Sequence, residues 1–337
     1  MRMKTFILIF VVFGLCSVWA QSPKVETTEK HILLNGKPFF IKGVSYSLCY
    51  PKCRHFTQIP MEVIEKDFKL MKEAGINTIR TYDTPPAFLF DLAEKYNIMV
   101  IPQVVYIGCW TRYDSEEEKN SLIEKAVANV KANKHRKNIL MWVMWNDAPF
   151  VYNTKSRNII DEYGSKKVNN FLQAIYKAIK KEDPNRPVTG SNMLNFPGSD
   201  MGFKFLDVLS FNAYFGITDW FKGKFDMNKA EDMVTQIRNI TLSLKKPVLI
   251  LETGYSTFNN EMDQGEIIKK QLKVIGNNFA GVVVFQWADD WAKSGNPEVL
   301  DDHIEEHWGI VDGFRNPKSG YLAIKDVWGS KKNMKFR

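Results

Sequence analysis

Short apolar runs and stretches of helical period alternate along nearly the whole chain, starting after residue 20. ETTEKHILLNGKPFFIKGVSY predicts a short N-terminal β-hairpin turning at Asn35-Gly36, then a first strand ending near Ser45. Asn-Gly tolerates the positive φ values that a two-residue hairpin turn demands. MEVIEKDFKLMKEAG (61–75) has its apolar residues at helical spacing and stops at a glycine. NTIRTY (77–82) predicts the second strand, Pro85-Pro86 opens a helix over AFLFDLAEKYN, and IMVIPQVVY (98–106) predicts the third strand. Ser115 with Glu118 is the signature of a capping box before a long helix ending near Lys134. ILMWVMW (139–145) predicts the fourth strand, followed by helix over 159–182. RPVTGSN (186–192), DVLSFNAY (207–214), KPVLILETG (246–254) and AGVVVFQWAD (280–289) predict strands five to eight. Helices are expected over 228–244, 261–277 and 318–328, whereas 193–206 shows little helical period.

Strands apolar on both faces and separated by helices imply a parallel sheet. Eight such units predict a closed α/β barrel, a single-domain (β/α)₈ TIM barrel spanning 21–337. The alternative, an open doubly wound sheet, lacks a Gly-rich phosphate loop after the first strand.

Barrels of this kind carry their active sites at the C-terminal ends of the strands. Those ends hold Arg80 and Tyr82 (second strand), Asn146 and Asp147 (fourth), Asn212 and Tyr214 (sixth), Glu252 (seventh), and Gln286, Trp287, Asp289 and Asp290 (eighth). Two carboxylates across a barrel mouth suit cleavage of a glycosidic bond, one protonating the leaving oxygen and the other attacking the anomeric carbon or activating water. Glu252 follows the buried run PVLIL, and a charge placed there needs a reason. Arg80 and Tyr214 are expected to hold it ionised, Asn146 to bond a sugar hydroxyl, and Trp287 to floor a subsite. The structural alternatives are a helix-capping role for Asp147 and a core role for Trp287.

The stretch GINTIRTYDTPPAFLFDLAEKYNIMVIPQV, the segment HRKNILMWVMWND, the strand KPVLILETG and the segment EEHWGIVDGFRNPKSGY together resemble glycoside hydrolase clan A. The likeness is to the catalytic barrel of family 2 β-glycosidases, and the second-strand stretch is also similar to β-1,3-glucanosyltransferases. It covers nearly all of the chain after residue 20. It implies a retaining mechanism with Glu252 as nucleophile and Asp147 as acid/base. The sugar-contacting amide falls at Asn146, the supporting pair at Arg80 and Tyr214, and the eighth-strand aromatic at Trp287. The implied substrate is a β-linked polysaccharide or oligosaccharide of the β-glucan or β-mannan class, cleaved or transferred.

The family has Glu where this chain has Asp147. Asp is shorter by one methylene, about 1.5 Å of reach, and a misplacement of that size costs around a hundredfold in rate. Three accounts stand open. The backbone advances to compensate, another carboxylate (Asp114, Glu116, Asp289 or Asp290) acts instead, or the protein is a glycan-binding pseudoenzyme. A barrel with no sugar site is a further alternative.

Composition changes this picture little. The 337 residues are 45% hydrophobic and 25% charged, which excludes a largely disordered chain. Aromatics at 13%, with nine Trp, suit sugar stacking as well as core packing. Met-Arg-Met-Lys, then FILIFVVFGL, then CSVWA form a secretory signal pattern over 1–20. The apolar run is too short to span a membrane, so a secreted protein (periplasmic if bacterial) without stable membrane insertion is expected. Loss of Arg2 and Lys4 with that segment takes the net charge from +8 to +6. The basic run KANKHRK (131–137) lies at a helix end, where cations meet the dipole, and no nucleic-acid partner is expected. Cys49, Cys53 and Cys109 then remain, and one disulfide among the three is expected, with its pairing open. DDHIEEHWG (301–309) lacks the alternation of a calcium loop and reads as solvated. No metal or cofactor is expected, carbohydrate is the one partner implied, and no pattern speaks to oligomeric state. Asn239-Ile240-Thr241 is a sequon for N-glycosylation.

Overall fold

The computed structural model describes residues 23–108, 111–147, 159–194, 200–219, 222–258, 262–301 and 303–329. Eight strands form one sheet: Ile41–Ser45, Thr78–Thr81, Met99–Pro102, Trp142–Asn146, Val188–Met193, Leu209–Asn212, Val248–Thr253 and Gly281–Val284. Numbered one to eight, they lie in the order 3-2-1-8-7-6-5-4, with every hydrogen-bonded pair parallel. The outer strands of that order meet through the parallel bridges Val100↔Ile139 and Gln103↔Val143, so the sheet closes on itself. Closure makes this a TIM barrel and excludes the open doubly wound sheet.

Alternation along each strand sorts the apolar side chains into two packed regions. Ile41, Ile101, Met141, Val143, Leu249, Leu251 and Val283 fill the barrel interior together with Val25 and Ile32. Val44, Ile79, Val100, Trp142, Ile250 and Val282 point outward into the layer of helices. Val25 and Ile32 come from a small antiparallel sheet of three strands, Val25–Thr27, Ile32–Leu34 and Lys37–Pro38, which plugs the N-terminal end of the barrel. The expected hairpin is its second half, with Asn35 at φ 53° and Gly36 at φ 75° in the turn.

The helices follow the expected periods. Ser115 accepts from the Glu118 N–H at 3.2 Å and caps Glu116–Asn133. The box stays half-formed, because the Glu118 carboxylate turns to Arg112 instead, at 2.8 and 3.0 Å. The helical stretch of 159–182 is broken at Gly164, φ 77°, into Ile159–Tyr163 and Ser165–Glu182. Between strands 5 and 6 no helix occurs among the described residues, and buried Met201, Phe203 and Leu206 fill that place. The basic run after Glu116–Asn133 is tied down by Lys134–Glu182 at 2.8 Å and Arg136–Asp91 at 2.6 Å. No helix among the described residues is long and apolar enough to cross a membrane.

One buried ion pair joins the start of the barrel to its end. Arg315 Nε donates to Asp67 Oδ1 at 3.0 Å, with side chains 1% and 0% exposed. Tyr46 donates its hydroxyl to the same carboxylate at 2.9 Å, and Arg315 Nη1 reaches the Gly313 carbonyl at 2.7 Å. Replacing Arg315 by Met strands the Asp67 carboxylate in the core, and such a change costs about 3–5 kcal/mol. Urea unfolding should therefore show a midpoint well below that of the unaltered protein; an unchanged midpoint would show that the seam does not depend on this pair.

Cys49 and Cys53 are both free thiols. The expected disulfide is thus not formed between them, and Cys109 lies outside the described residues, as does the segment 1–20. Burial pushes the Cys49 thiol up to about 12, which keeps it protonated and unreactive near neutrality.

Candidate active site

The C-terminal mouth of the barrel gathers the strand-end residues, but strict alternation would not have put them there. Leu249 and Leu251 face the interior, so Glu252 should face out. Strand 7 instead slips register between Ile250 and Glu252 against strand 6, and between Ile250 and Thr253 against strand 8. Such irregularities re-aim side chains next to functional sites. Strand 4 slips in the same way between Val143 and Asn146. Directly after it, Asp147 adopts φ 51°, a left-handed conformation that Asp tolerates better than most residues, and donates its N–H to the Ser191 carbonyl at 3.0 Å. Beneath it, Trp145 lies across Gly190, where an added Cβ would come within 2.1 Å of the indole. Trp145 is fixed there by a 3.0 Å bond from Nε1 to Asn192 Oδ1.

Three donors converge on Glu252. Arg80 Nη1 and the Tyr82 hydroxyl donate to Oε1, each at 2.8 Å, and the Tyr214 hydroxyl donates to Oε2 at 2.9 Å. Glu252 is 5% exposed, and the Arg80 side chain is fully buried. Burial pushes both tyrosine hydroxyls well above their usual range, and the neighbouring Glu252 charge pushes the same way. Both therefore remain donors. The Arg80 guanidinium also lies 3.6 Å from the centre of the Tyr82 ring, stacked on its face.

Asp147 stands on the other side, 7% exposed. Its Oδ1 accepts from Asn212 Nδ2 at 2.8 Å and its Oδ2 from Asn146 Nδ2 at 3.0 Å. Asn146 Oδ1 accepts from Arg80 Nη2 at 2.6 Å and from Asn212 Nδ2 at 3.0 Å, so one network joins both carboxylates. Desolvation raises the Asp147 carboxyl well above the usual carboxylate range, and the Glu252 charge raises it further against the opposing pull of Arg80 and the two amides. Two carboxyl groups in one buried network with Asp147 held up toward its neutral form have the division of labour of an acid and a nucleophile.

Of the residues expected here, Arg80, Asn146, Asp147, Tyr214 and Glu252 lie in this single network. Trp287 does not join it. It is 1% exposed and packs edge-on against Tyr321 with centroids 6.2 Å apart. The regular strand ends at Val284, although Phe285 N–H still bonds the Thr253 carbonyl at 2.7 Å and Trp287 N–H the Ser45 carbonyl at 2.9 Å, and the indole lies in the core. The eighth-strand aromatic at the mouth is Phe285, 6.3 Å from Tyr82, 6.4 Å from Tyr214 and 5.7 Å from Trp308. The other carboxylates considered for the acid are placed elsewhere. Asp289 is bound by Lys318 at 2.9 Å and by the Gly309 N–H at 2.8 Å. Asp290 accepts from the Ala292 N–H at 3.1 Å, Glu116 pairs with Lys119, and Asp114 is exposed.

Sequence reasoning gave no role to Tyr82, Asn212, Phe285 or Trp308. Tyr82 and Asn212 stand at strand ends, and that position was the available signal. Nothing in the local pattern marks Trp308, which comes from the segment 301–309. That segment is not simply solvated. Glu306 is fully buried and accepts from the Ser294 N–H at 3.1 Å and the Asp301 N–H at 2.5 Å, which braces the loop over the mouth. Among the described residues no group of three or more His, Cys, Asp or Glu is placed to hold a metal ion.

Residues 25–330 match the family described as glycosyl hydrolases family 2, TIM barrel domain. The chain is 26% identical over 321 residues to a β-glucuronidase of Felis catus and 24% identical over 321 residues to that of Homo sapiens. Each alignment covers 90% of this chain and 46% of the relative, so the chain spans about half the length of the curated relatives it matches. Among solved structures, a Bifidobacterium dentium β-glucuronidase complexed with coumarin-3-O-glucuronide superposes with a TM-score of 0.75 at 22% identity, over 94% of this chain and 50% of that one. A β-galacturonidase from Eisenbergiella tayi bound to galacturonate gives 0.70 at 22% identity, over 92% and 55%. At that identity the structural likeness speaks for the fold.

Proposed function

The chain belongs to glycosyl hydrolase family 2 through its TIM-barrel domain, and from that premise we propose that it is a retaining β-glycosidase or transglycosidase with Glu252 as nucleophile and Asp147 as acid/base. The observation that carries this reading is the joined network. Glu252 receives three donors, and Asp147, three hydrogen bonds away through Arg80 and Asn146, is held toward its protonated form.

In the first step, one Glu252 oxygen attacks the anomeric carbon while Asp147 gives its proton to the departing glycosidic oxygen. The C–O bond to the leaving group breaks as the bond to Glu252 forms. Asp147, now a carboxylate, next takes a proton from water or from an acceptor sugar hydroxyl, whose oxygen displaces Glu252. Two inversions return the original anomer. Arg80, Tyr82 and Tyr214 fix the attacking carboxylate and keep one face of it directed at the mouth. Because they are preorganised, they cost no reorganisation during reaction.

For the substrate we propose a β-linked oligosaccharide or polysaccharide of the β-glucan or β-mannan class. Its support is the aromatic lining of Tyr82, Phe285, Tyr214 and Trp308, which suits the C–H faces of neutral sugars. A second reading, a uronide, has one observation in its favour. Lys293 Nζ lies 5.8 Å from the Tyr82 ring centre and 5.6 Å from that of Phe285. The similar proteins named above are three β-glucuronidases and a β-galacturonidase. Export follows as a proposal from the signal pattern over 1–20.

The test is incubation with laminarin, mannan, xylan, cello-oligosaccharides and aryl β-glucuronides, with products followed by mass spectrometry and their anomers by proton NMR. Shortened products released first as the β-anomer are expected from the neutral glycans, and lengthened ones if transfer dominates. Release of the α-anomer would overturn the retaining mechanism. Binding without turnover across the panel would replace the enzyme by a glycan-binding protein.

A further inference from the structure

We propose that Phe314, supported by Trp291 and Tyr50, is a sugar-stacking platform on the barrel rim that holds a distal unit of an oligosaccharide whose reacting unit lies at Glu252. This deepens the glycosidase reading and rests on it.

Phe314 is 50% exposed, and with Tyr106 at 65% it makes up the exposed aromatic rings among the described residues. Phe314 follows the eighth barrel strand and Tyr106 the third, so both project at the end of the barrel that holds the candidate site. Exposure alone is ordinary for a single ring; what sets Phe314 apart is its place at the site end of the barrel and the way it is held there.

The Phe314 ring is presented rather than loose. Tyr50 meets it edge-on at 6.2 Å and Trp291 at 5.5 Å, both at an interplanar angle of 86°. Trp291 in turn packs over Gly313 and Pro51, since a Cβ on residue 313 would fall 2.8 Å from the indole nitrogen and 2.9 Å from Pro51. The turn beneath is pinned by Asp312, whose Oδ1 accepts from the Phe314 N–H at 2.9 Å and whose Oδ2 accepts from Asn316 at 2.8 Å. The next residue is Arg315, anchored in the core by Asp67. A ring already fixed loses little freedom when a sugar stacks on it, so more of the contact energy appears as affinity.

The platform and the site are linked through one short segment of chain. Lys293 comes two residues after Trp291, a span of at most about 7 Å. Its ammonium lies against the Tyr82 and Phe285 rings of the mouth. A glycan chain running from Glu252 to Phe314 thus passes an ammonium donor suited to its hydroxyls. The occupant is a saccharide because Phe314 offers an exposed ring face in a turn that also carries the polar Asp312 and Asn316, the pairing of ring and hydrogen-bonding groups that a sugar uses. A protein partner would need several hundred Å² of complementary surface.

The experiment uses the full chain in two backgrounds. In Glu252→Gln, calorimetric titration with β-glucan and β-mannan oligosaccharides of two to six units should show affinity rising with length. Adding Phe314→Ala should lower the affinity for the longest members by a few-fold to about tenfold, the range of a single aromatic contact, and Phe314→Trp should restore it. In the active protein, Phe314→Ala should reduce by a similar factor the ratio of kcat/KM for a six-unit substrate to that for an aryl monoglycoside. An equal loss at every length, no loss at any length, or no binding of any oligosaccharide overturns the platform. If Phe314-dependent binding is seen while the unaltered protein cleaves nothing, the platform stands and the catalytic reading fails.

Discussion

Glu252→Gln is expected to lower kcat/KM by roughly 10⁴- to 10⁶-fold, the scale seen when a nucleophile that works in a concerted unit is removed. The substitution keeps the shape of the side chain but leaves no carboxylate to form the glycosyl-enzyme. It also leaves Arg80, whose side chain is fully buried, without its 2.8 Å counter-charge. Removing one partner of a buried pair is costly, so the variant should also melt lower than the unaltered protein. The covalent step gives the sharper readout. A 2-fluoro β-glycoside should label the unaltered protein on the peptide that contains Glu252 and leave Glu252→Gln unlabelled. Persistent labelling in the variant would falsify the assignment of the nucleophile, whatever happened to the rate.

The second large effect concerns Asp147. Asp147→Asn is expected to slow substrates with poor leaving groups by about 10²- to 10⁴-fold, the usual contribution of a positioned general acid. Dinitrophenyl glycosides, whose leaving group needs no proton, should lose far less in the first step. The pH profile carries a further signature. In the proposed mechanism Asp147 acts in its protonated form, and burial together with the Glu252 charge raises its carboxyl well above the ordinary carboxylate range. Activity should therefore persist above that range and fall as pH rises through the raised value. Asp147→Asn has no such proton to lose, so the alkaline limb should vanish from kcat/KM measured on the dinitrophenyl substrate. An alkaline limb unchanged in the variant would move the acid to another group. The carboxyl to test next is Glu305, which burial raises and which the Glu252 charge also reaches. Asp147→Glu completes the series. A rate gain would mean that the shorter side chain is under-reaching, and a loss would mean that the left-handed backbone at Asp147 and the Asn146–Asn212 clamp are built around it.

The same raised carboxyl has a consequence for stability. A group that is protonated in the folded protein but ionised in the unfolded chain stabilises the fold only at low pH. Its contribution is complete below the ordinary Asp range and is lost as pH climbs from there to the raised folded value. The candidate acid is thus held at a cost to stability near neutrality, as strained or desolvated active sites often are.

The barrel and much of the site were legible before any coordinates, for different reasons. Runs such as IMVIP and VLIL are apolar on both faces, and their alternation with helical periods leaves few topologies beyond a parallel barrel. Reading the last residues of each strand then found Arg80, Asn146, Asp147, Tyr214 and Glu252, because the fold confines chemistry to that end. The reading failed at Trp287. Beyond Val284 the regular strand ends, and a residue's position in the sequence no longer tells which way it faces. Phe285 took the mouth and Trp287 the core. The weak helical period of 193–206 matched the absence of a helix there among the described residues, but nothing in the pattern showed that Met201, Phe203 and Leu206 would be buried in its place.

Local pattern determined which elements form, that they close into a barrel, and which end of it carries the polar residues. These depend on side-chain periodicity and backbone preference, which neighbouring residues along the chain set among themselves. Tertiary structure alone decided the rest. The register slips in strands 4 and 7 turn Asn146 and Glu252 inward against strict alternation. Phe285 takes the place expected of Trp287, Glu306 braces a loop from within, and Phe314 is held out at the rim. Each of these depends on which distant segment happens to lie alongside, and on the burial that raises one carboxyl beside another. Contacts across 66, 172 or 248 residues, like those of Arg80 with Asn146, Arg80 with Glu252 and Arg315 with Asp67, exist only once the chain has closed.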